Sequence, residues 1–179
     1  MQSHLTQSQN QEAPQKKKVT LLSIDPGYRY FGFALFGESA DLVHAGLSET
    51  KKDQWEAWNG QPPSFLNIAY LLDNYEWVER TAIIEMPKVH RDTPNTDSIV
   101  KLAAACGAYT SILQAAGFNV VWVEPRSWKG MTPKNVMFKR IIAKLSEKEY
   151  SCINKPKDHN VVDAIGIGLW QIKSKRKQA

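Results

Sequence analysis

The chain opens on a polar stretch, residues 1–17, rich in Gln and Ser and without an apolar period, a composition that predicts no packed structure. Apolar character begins abruptly at Val19-Thr20-Leu21-Leu22-Ser23-Ile24 and stops at Asp25-Pro26-Gly27, a strand-like run closed by a turn signal. Tyr30 to Phe36 and Leu42 to Leu47 predict two further strands, separated by the polar turn Gly37-Glu38-Ser39-Ala40. Connections this short predict an antiparallel meander. Residues 48–63, with Gly60, Pro62 and Pro63, read as a loop. The period then changes: Phe65, Ile68, Leu71, Leu72 and Tyr75 share one helical face, predicting a helix capped by Ser64 and running to about Val78. Thr81 to Glu85 reads as a buried strand, and residues 86–95, with two prolines, as a loop. A helix is expected from Thr96 or Asp97 through Ala116, ended by Gly117, whose Ala103, Ala104, Ala105, Gly107 and Ala108 permit close packing against a neighbour. Asn119 to Val123 is a fifth strand, Pro133 suits the first turn of a helix reaching Leu145, and a last helix spans about Asn160 to Ile172.

The resulting order, βββ-α-β-α-β-α-α, predicts an α/β fold with a mixed five-stranded sheet flanked by helices, the order used by the ribonuclease H-like fold. It divides the chain into a disordered N-terminal tail (1–18), a ribonuclease H-like domain (19–172) and a basic C-terminal tail (173–179). The length, 179 residues, suits one domain with a real core and is too short for a two-lobed kinase or a helicase motor. No apolar run approaches the roughly 18 residues of a membrane span. The N-terminus lacks an apolar signal core. Cys106 and Cys152 show neither disulfide-framework nor zinc spacing. A soluble, cytoplasmic protein without membrane partners is expected.

Charge sharpens this picture. The formal net charge is +5, but the two tails carry +2 and +4, which leaves residues 19–172 at −1. Residues 19–87 hold 4 basic and 10 acidic side chains, whereas residues 88–157 hold 12 basic and 5 acidic. An acidic first half beside a basic second half fits a carboxylate cluster next to a surface for polyanions. Ordinary solvated faces with a solubility tail account for the same numbers.

Three carboxylates occupy suggestive positions. Asp25 ends the first strand, Glu85 ends the fourth, and Asp163 lies among Val161, Val162, Ile165 and Ile167 on the last helix. Each has a bland explanation: an Asx turn for Asp25, an ion pair for Glu85, a local cap or pair for Asp163. Strand ends can converge at a sheet edge, however, and acids buried without partners are costly. A hard divalent ion such as Mg²⁺ relieves that cost with oxygen ligands. Two such ions can clamp the attacking and leaving oxygens of a phosphodiester.

The motifs carry a resemblance. Ser23-Ile24-Asp25-Pro26-Gly27 with Phe31-Gly32-Phe33-Ala34 resembles the opening of the RuvC-like Holliday junction resolvases. Ile83-Ile84-Glu85-Met86-Pro87 resembles the second acidic position of their phage members. Val123-Glu124-Pro125-Arg126-Ser127-Trp128-Lys129-Gly130, followed by Pro133-Lys134, resembles their basic segment, and Asn160-Val161-Val162-Asp163-Ala164-Ile165-Gly166 their closing acidic motif. Four motifs in order span about residues 19–172. The resemblance implies a homodimer that nicks four-way DNA junctions in symmetric pairs, leaving 5′-phosphates. It implies dependence on Mg²⁺ (two ions, with Mn²⁺ as substitute) and on no small-molecule cofactor. It makes Asp25, Glu85 and Asp163 metal ligands and sets Lys129 and Lys134 near the scissile phosphate, with Arg126 on the same DNA-binding segment. The helix over 97–116 becomes the dimer face, its alternative being packing within the monomer. The phage-like variants point to a bacterial or phage-infected cell.

One position departs from the family, which usually carries Asp or His three residues before its last Asp. Here Asn160 stands there, with His159 and Asp158 beside it. On a helix, residues three and four before Asp163 share its face. Asn160 offers a carbonyl oxygen to Mg²⁺ and is the favoured ligand. His159 can coordinate Mn²⁺ or act as general base, and Asp158 suits the N-cap. The loop after Glu85, with Lys88, His90 and Arg91, reads either as a DNA contact or as an ordinary basic loop. Trp55, Trp58, Trp77, Trp122, Trp128 and Trp170 read as packing residues. The alternatives to a junction resolvase are a branched- or flap-DNA nuclease with little junction selectivity and a catalytically silent junction-binding relative.

Overall fold

The structure, a computed structural model, describes residues 15–27, 29–49, 65–86 and 96–177. Five strands form one sheet: β1 (Lys17–Asp25), β2 (Tyr30–Phe36), β3 (Leu42–Glu49), β4 (Tyr75–Glu85) and β5 (Asn119–Val123). The helices are α1 (Phe65–Asn74), α2 (Thr96–Ala115), α3 (Pro125–Lys129), α4 (Lys134–Ile142), α5 (Glu147–Ser151) and α6 (His159–Arg176). The strand order is β3-β2-β1-β4-β5. The β1–β2–β3 meander is antiparallel, and β4 and β5 run parallel to β1. This is the mixed, helix-flanked sheet of the ribonuclease H-like fold.

Alternation along the strands sorts side chains onto two faces. Leu22 and Ile24 of β1, Phe31, Phe33 and Leu35 of β2, and Ala82 and Ile84 of β4 pack against α1 and α2 through Ile68, Leu71, Tyr109 and Leu113. Leu21, Ala34, Phe36, Ile83 and Val123 pack on the other face against α6, with Trp128 and Ile141 beside it. Ile24 pairs with Ile84 in the parallel β1–β4 register. The next residue on each strand is acidic, and Asp25 and Glu85 therefore turn together toward the face covered by α6.

Helix α6 lies unusually close to the sheet. An added Cβ on Gly32 would stand 1.9 Å from the backbone oxygen of Asn160, and one on Gly168 would stand 2.1 Å from the Phe36 ring. The buried Ser23 hydroxyl donates to the Ala164 carbonyl at 2.8 Å, stapling β1 to the helix one residue after Asp163. The outer edge of β3 is partly covered by the segment after α5: the Ala45 amide donates to the Cys152 carbonyl and the Asn154 amide to the Ala45 carbonyl.

Several boundaries differ from expectation. The helix expected to reach Val78 ends at Asn74, and β4 starts at Tyr75 instead of Thr81, because Tyr75, Glu76 and Trp77 pair with Lys17, Lys18 and Val19. The same pairing draws Lys17 and Lys18 into β1. The last helix continues past Ile172 to Arg176, so most of the expected basic tail is helical. The helix begun near Pro133 ends at Ile142, and α3 and α5 are additional. Residues 1–14, the Ser64 cap, nearly all of the 48–63 loop and the loop bearing Lys88, His90 and Arg91 lie outside the described residues. Among the described residues no helix is long and apolar enough to cross a membrane.

Candidate active site

Three elements deliver the three carboxylates. Asp25 is the last residue of β1, and the carbonyl of Gly27 in the following turn accepts a 2.9 Å hydrogen bond from the buried Tyr109 of α2. Glu85 is the last residue of β4, fixed by β5, whose Val123 carbonyl accepts from the Met86 amide at 2.8 Å. Asp163 is in the second turn of α6, only 5% exposed.

The basic segment folds over this edge. β5 passes into α3 through Pro125 in its first turn, and Gly130, at a φ of 58°, ends that helix after one turn. So short a helix carries two consecutive side chains onto the carboxylates. The Trp128 indole donates to Glu85 Oε2 at 2.5 Å. Lys129 Nζ lies 3.3 Å from the same oxygen and 3.8 Å from Asp163 Oδ2. It also stands 4.7 Å from the Trp128 ring centroid. One ammonium thus bridges two carboxylates.

That single bridge leaves negative charge in excess. Asp25 sits at the rim, yet loss of hydration raises its carboxyl well above the ordinary range, and Glu85 and Asp163 raise it further; Lys129 and Lys134 oppose this. Burial also raises Asp163, against the pull of Lys129, Lys134 and His159. The Cys106 thiol is pushed up to about 12, by burial first and then by Asp25 and Glu85. These effects place Asp25, Glu85, Asp163, Lys129, Lys134 and His159 in one electrostatic neighbourhood. His159 is exposed at the first turn of α6, with its ring edge-on to Phe138 at 5.2 Å. Asp158 caps α6, accepting from the Asn160 amide at 2.8 Å, which leaves Asn160 and His159 a turn before Asp163. Arg126 is exposed on α3, one turn before Lys129.

Among the described residues no three His, Cys, Asp or Glu side chains form a ready-made metal cage; two of the three carboxylates are instead drawn onto Lys129. The donor chemistry nonetheless suits a hard divalent cation, with oxygen ligands only and three carboxylates against Lys129 and Lys134. Asp25, Glu85, Asp163 and the Asn160 side-chain oxygen are the groups that could hold it. Trp128 was not expected at the site, since nothing in Ser127-Trp128-Lys129 tells a packed indole from one aimed at β4. Trp128→Phe keeps the ring and deletes the donor. Partners of this kind are worth about 10–100-fold in metal affinity or activity. Mn²⁺ titration of the variant should show a loss of that order, and unchanged Mn²⁺ affinity would remove the positioning role.

Comparison with known proteins agrees on the fold. No protein-family model matches the chain, and no curated protein sequence does either. The architecture defines a ribonuclease H-like fold, and solved structures share it. Thermus thermophilus RuvC in complex with a Holliday junction substrate superposes with a TM-score of 0.64 at 18% identity, covering 88% of this chain and 95% of that one. Thermus thermophilus RuvC determined separately gives 0.60 at 16% identity, covering 88% and 96%. The fowlpox virus resolvase in complex with Holliday junction DNA gives 0.52 at 17% identity, covering 87% and 97%.

Proposed function

We propose that this chain is a RuvC-like Holliday junction resolving endonuclease that hydrolyses DNA phosphodiesters by paired nicks. The observation that carries the reading is the convergence of Asp25, Glu85 and Asp163 at one sheet edge, under a lysine that touches two of them. The resemblance of four ordered motifs and the shared fold support it. Asp25, Glu85 and Asp163, with Asn160, would hold Mg²⁺ or Mn²⁺, which when bound would activate water and stabilise charge on the phosphate oxygens. Lys129 and Lys134 hold those oxygens, and Arg126 contacts the backbone nearby. His159 accepts a proton from the attacking water as its oxygen bonds to phosphorus. The P–O3′ bond breaks and the departing 3′-oxygen takes a proton from solvent, leaving a 5′-phosphate and a 3′-hydroxyl.

The test is cleavage of a synthetic four-way junction, a flap and a plain duplex in Mg²⁺ and in Mn²⁺. Symmetric paired nicks confined to the junction are expected. Equal cutting of the flap points to the broader nuclease. Binding without cutting in either metal points to a silent relative, the alternative that Asn160 in place of a carboxylate keeps open.

Paired nicking needs two sites, and α2 offers the face for a second copy. Val100, Ala103, Ala104 and Gly107 form an exposed stripe of small and apolar residues, and an added Cβ on Gly107 meets nothing within 4 Å. Gly107→Arg should therefore fold normally yet place a charge in the helix pair. Light scattering should show a monomer, and junction nicks should become unpaired; an intact dimer removes this face from the reading.

A further inference from the structure

A basic groove runs away from the carboxylates along the outside of α6. It starts at a cavity of about 210 Å³ between α4 and α6, walled by Trp128, Gly166 and Trp170 and rimmed by Arg140, Lys144 and Lys173. It opens into a larger cavity of about 570 Å³ at the β2–β3 turn, with which it shares Lys144, Leu169 and Lys173. Lys148 and Arg176 line that second part. Arg140, Lys144, Lys148, Lys173 and Arg176 are all exposed, and no salt bridge to a described carboxylate engages any of them. The acids along the groove are Asp41 and Glu149. The Glu149 carboxylate accepts from the Leu42 and Ser146 amides and the Ser146 hydroxyl, so it is held away from the cations, and two acids face five bases.

Cations in the last turns of α4 and α6 complement the helix dipoles, which explains single residues at each helix end. It does not explain why two helix ends and α5 turn their cations into one continuous channel. The channel begins one helical turn from Asp163, beside the indole that holds Glu85. From Asp163 to Arg176 the helix rises about 20 Å at 1.5 Å per residue. That is the axial rise of about six nucleotides of one DNA strand at 3.4 Å each. Five cations from several elements along one channel suit a chain of phosphates better than a compact anion.

We propose that this groove seats the phosphate backbone of a duplex DNA arm leading away from the cleavage site, through Arg140, Lys144, Lys148, Lys173 and Arg176. The inference rests on the reading of the chain as a DNA enzyme, but its residues are distinct from the carboxylates and from Lys129 and Lys134.

The test is anisotropy of a labelled plain duplex in EDTA between 50 and 200 mM salt, where neither metal nor cleavage contributes. Each phosphate contact adds about 0.9 to the slope of log affinity against log salt. Lys144→Ala with Lys173→Ala should lower that slope by about 1.8, so the variant loses roughly tenfold less affinity than wild type over this range. Arg140→Ala with Arg176→Ala should act alike. Lys155→Ala, outside the groove lining and paired with Glu49, should leave the slope unchanged. Duplex binding with a wild-type slope in both double variants overturns the groove and leaves the proposed function standing. No DNA binding by the wild type overturns both.

Discussion

Asp25→Asn should abolish junction cleavage while making the protein more heat-stable. The activity loss follows from removing an oxygen anion from the set of residues proposed to hold the metal. A bound ion contributes several kcal/mol of transition-state stabilisation, which corresponds to about 10³-fold or more in rate. The stability gain follows from the raised Asp25 carboxyl, pushed up by burial and by Glu85 and Asp163. A carboxyl whose folded-state pKa lies above its unfolded value contributes its full stability below the unfolded value. That contribution is lost as pH rises through the folded value. At neutral pH, above the unfolded value, Asp25 therefore weakens the fold, and the amide, which does not titrate, does not. The melting temperature should rise by about 2–4 °C for each kcal/mol relieved in a chain of this size. Mg²⁺ should raise the melting temperature of the wild type and leave that of the variant unmoved. A variant that melts lower, or still cuts, would sink the assigned role of Asp25.

Gly32→Ala is the second large effect, and it acts through backbone. The added methyl would lie 1.9 Å from the Asn160 oxygen, 2.2 Å from its carbon and 2.7 Å from the Val161 nitrogen. No side chain can swing aside there, so the start of α6 must lift from β2. Overpacking of this kind costs about 1–3 kcal/mol, occasionally more. Asn160 and His159 move with it, and Asp163 sits within a turn of the disturbance. A misplacement of about 1 Å at a catalytic group can cost about 10²-fold. Thermal melting and single-turnover cleavage should both fall. A stable, fully active variant would mean that α6 is free to slide and that its distance from β2 does not set the site.

Much of this was legible in the sequence because it rests on local pattern. The Pro-Gly after Asp25, the strand before Glu85 and the apolar neighbours of Asp163 are all short-range signals, and the period of two puts Asp25 and Glu85 on the face of α6 once the register is known. What was not legible depends on partners far along the chain. Tyr75 to Arg80 follow a helical stretch and carry Tyr75 and Val78 at helical spacing, yet pairing with Lys17–Val19 makes this segment strand. The apolar period stops at Ile172, so the residues beyond read as a tail. Lys and Arg are good helix formers and suit a C-terminal turn, so α6 runs on to Arg176. The hydrogen bond from Trp128 to Glu85 crosses 43 positions and has no local signature.

The staple between Ser23 and Ala164 joins residues 141 positions apart, the first strand to the last helix. Contacts at such separation form late, because the intervening chain must be ordered before they are rewarded. Until α6 docks, Leu21, Phe36 and Ile83 lack their cover and Asp163 is absent from the sheet edge. A partly folded molecule therefore carries two of the three acids and no site. On the proposed function, cleavage would be a readout of completed folding: a chain that has not closed its core would lack the site.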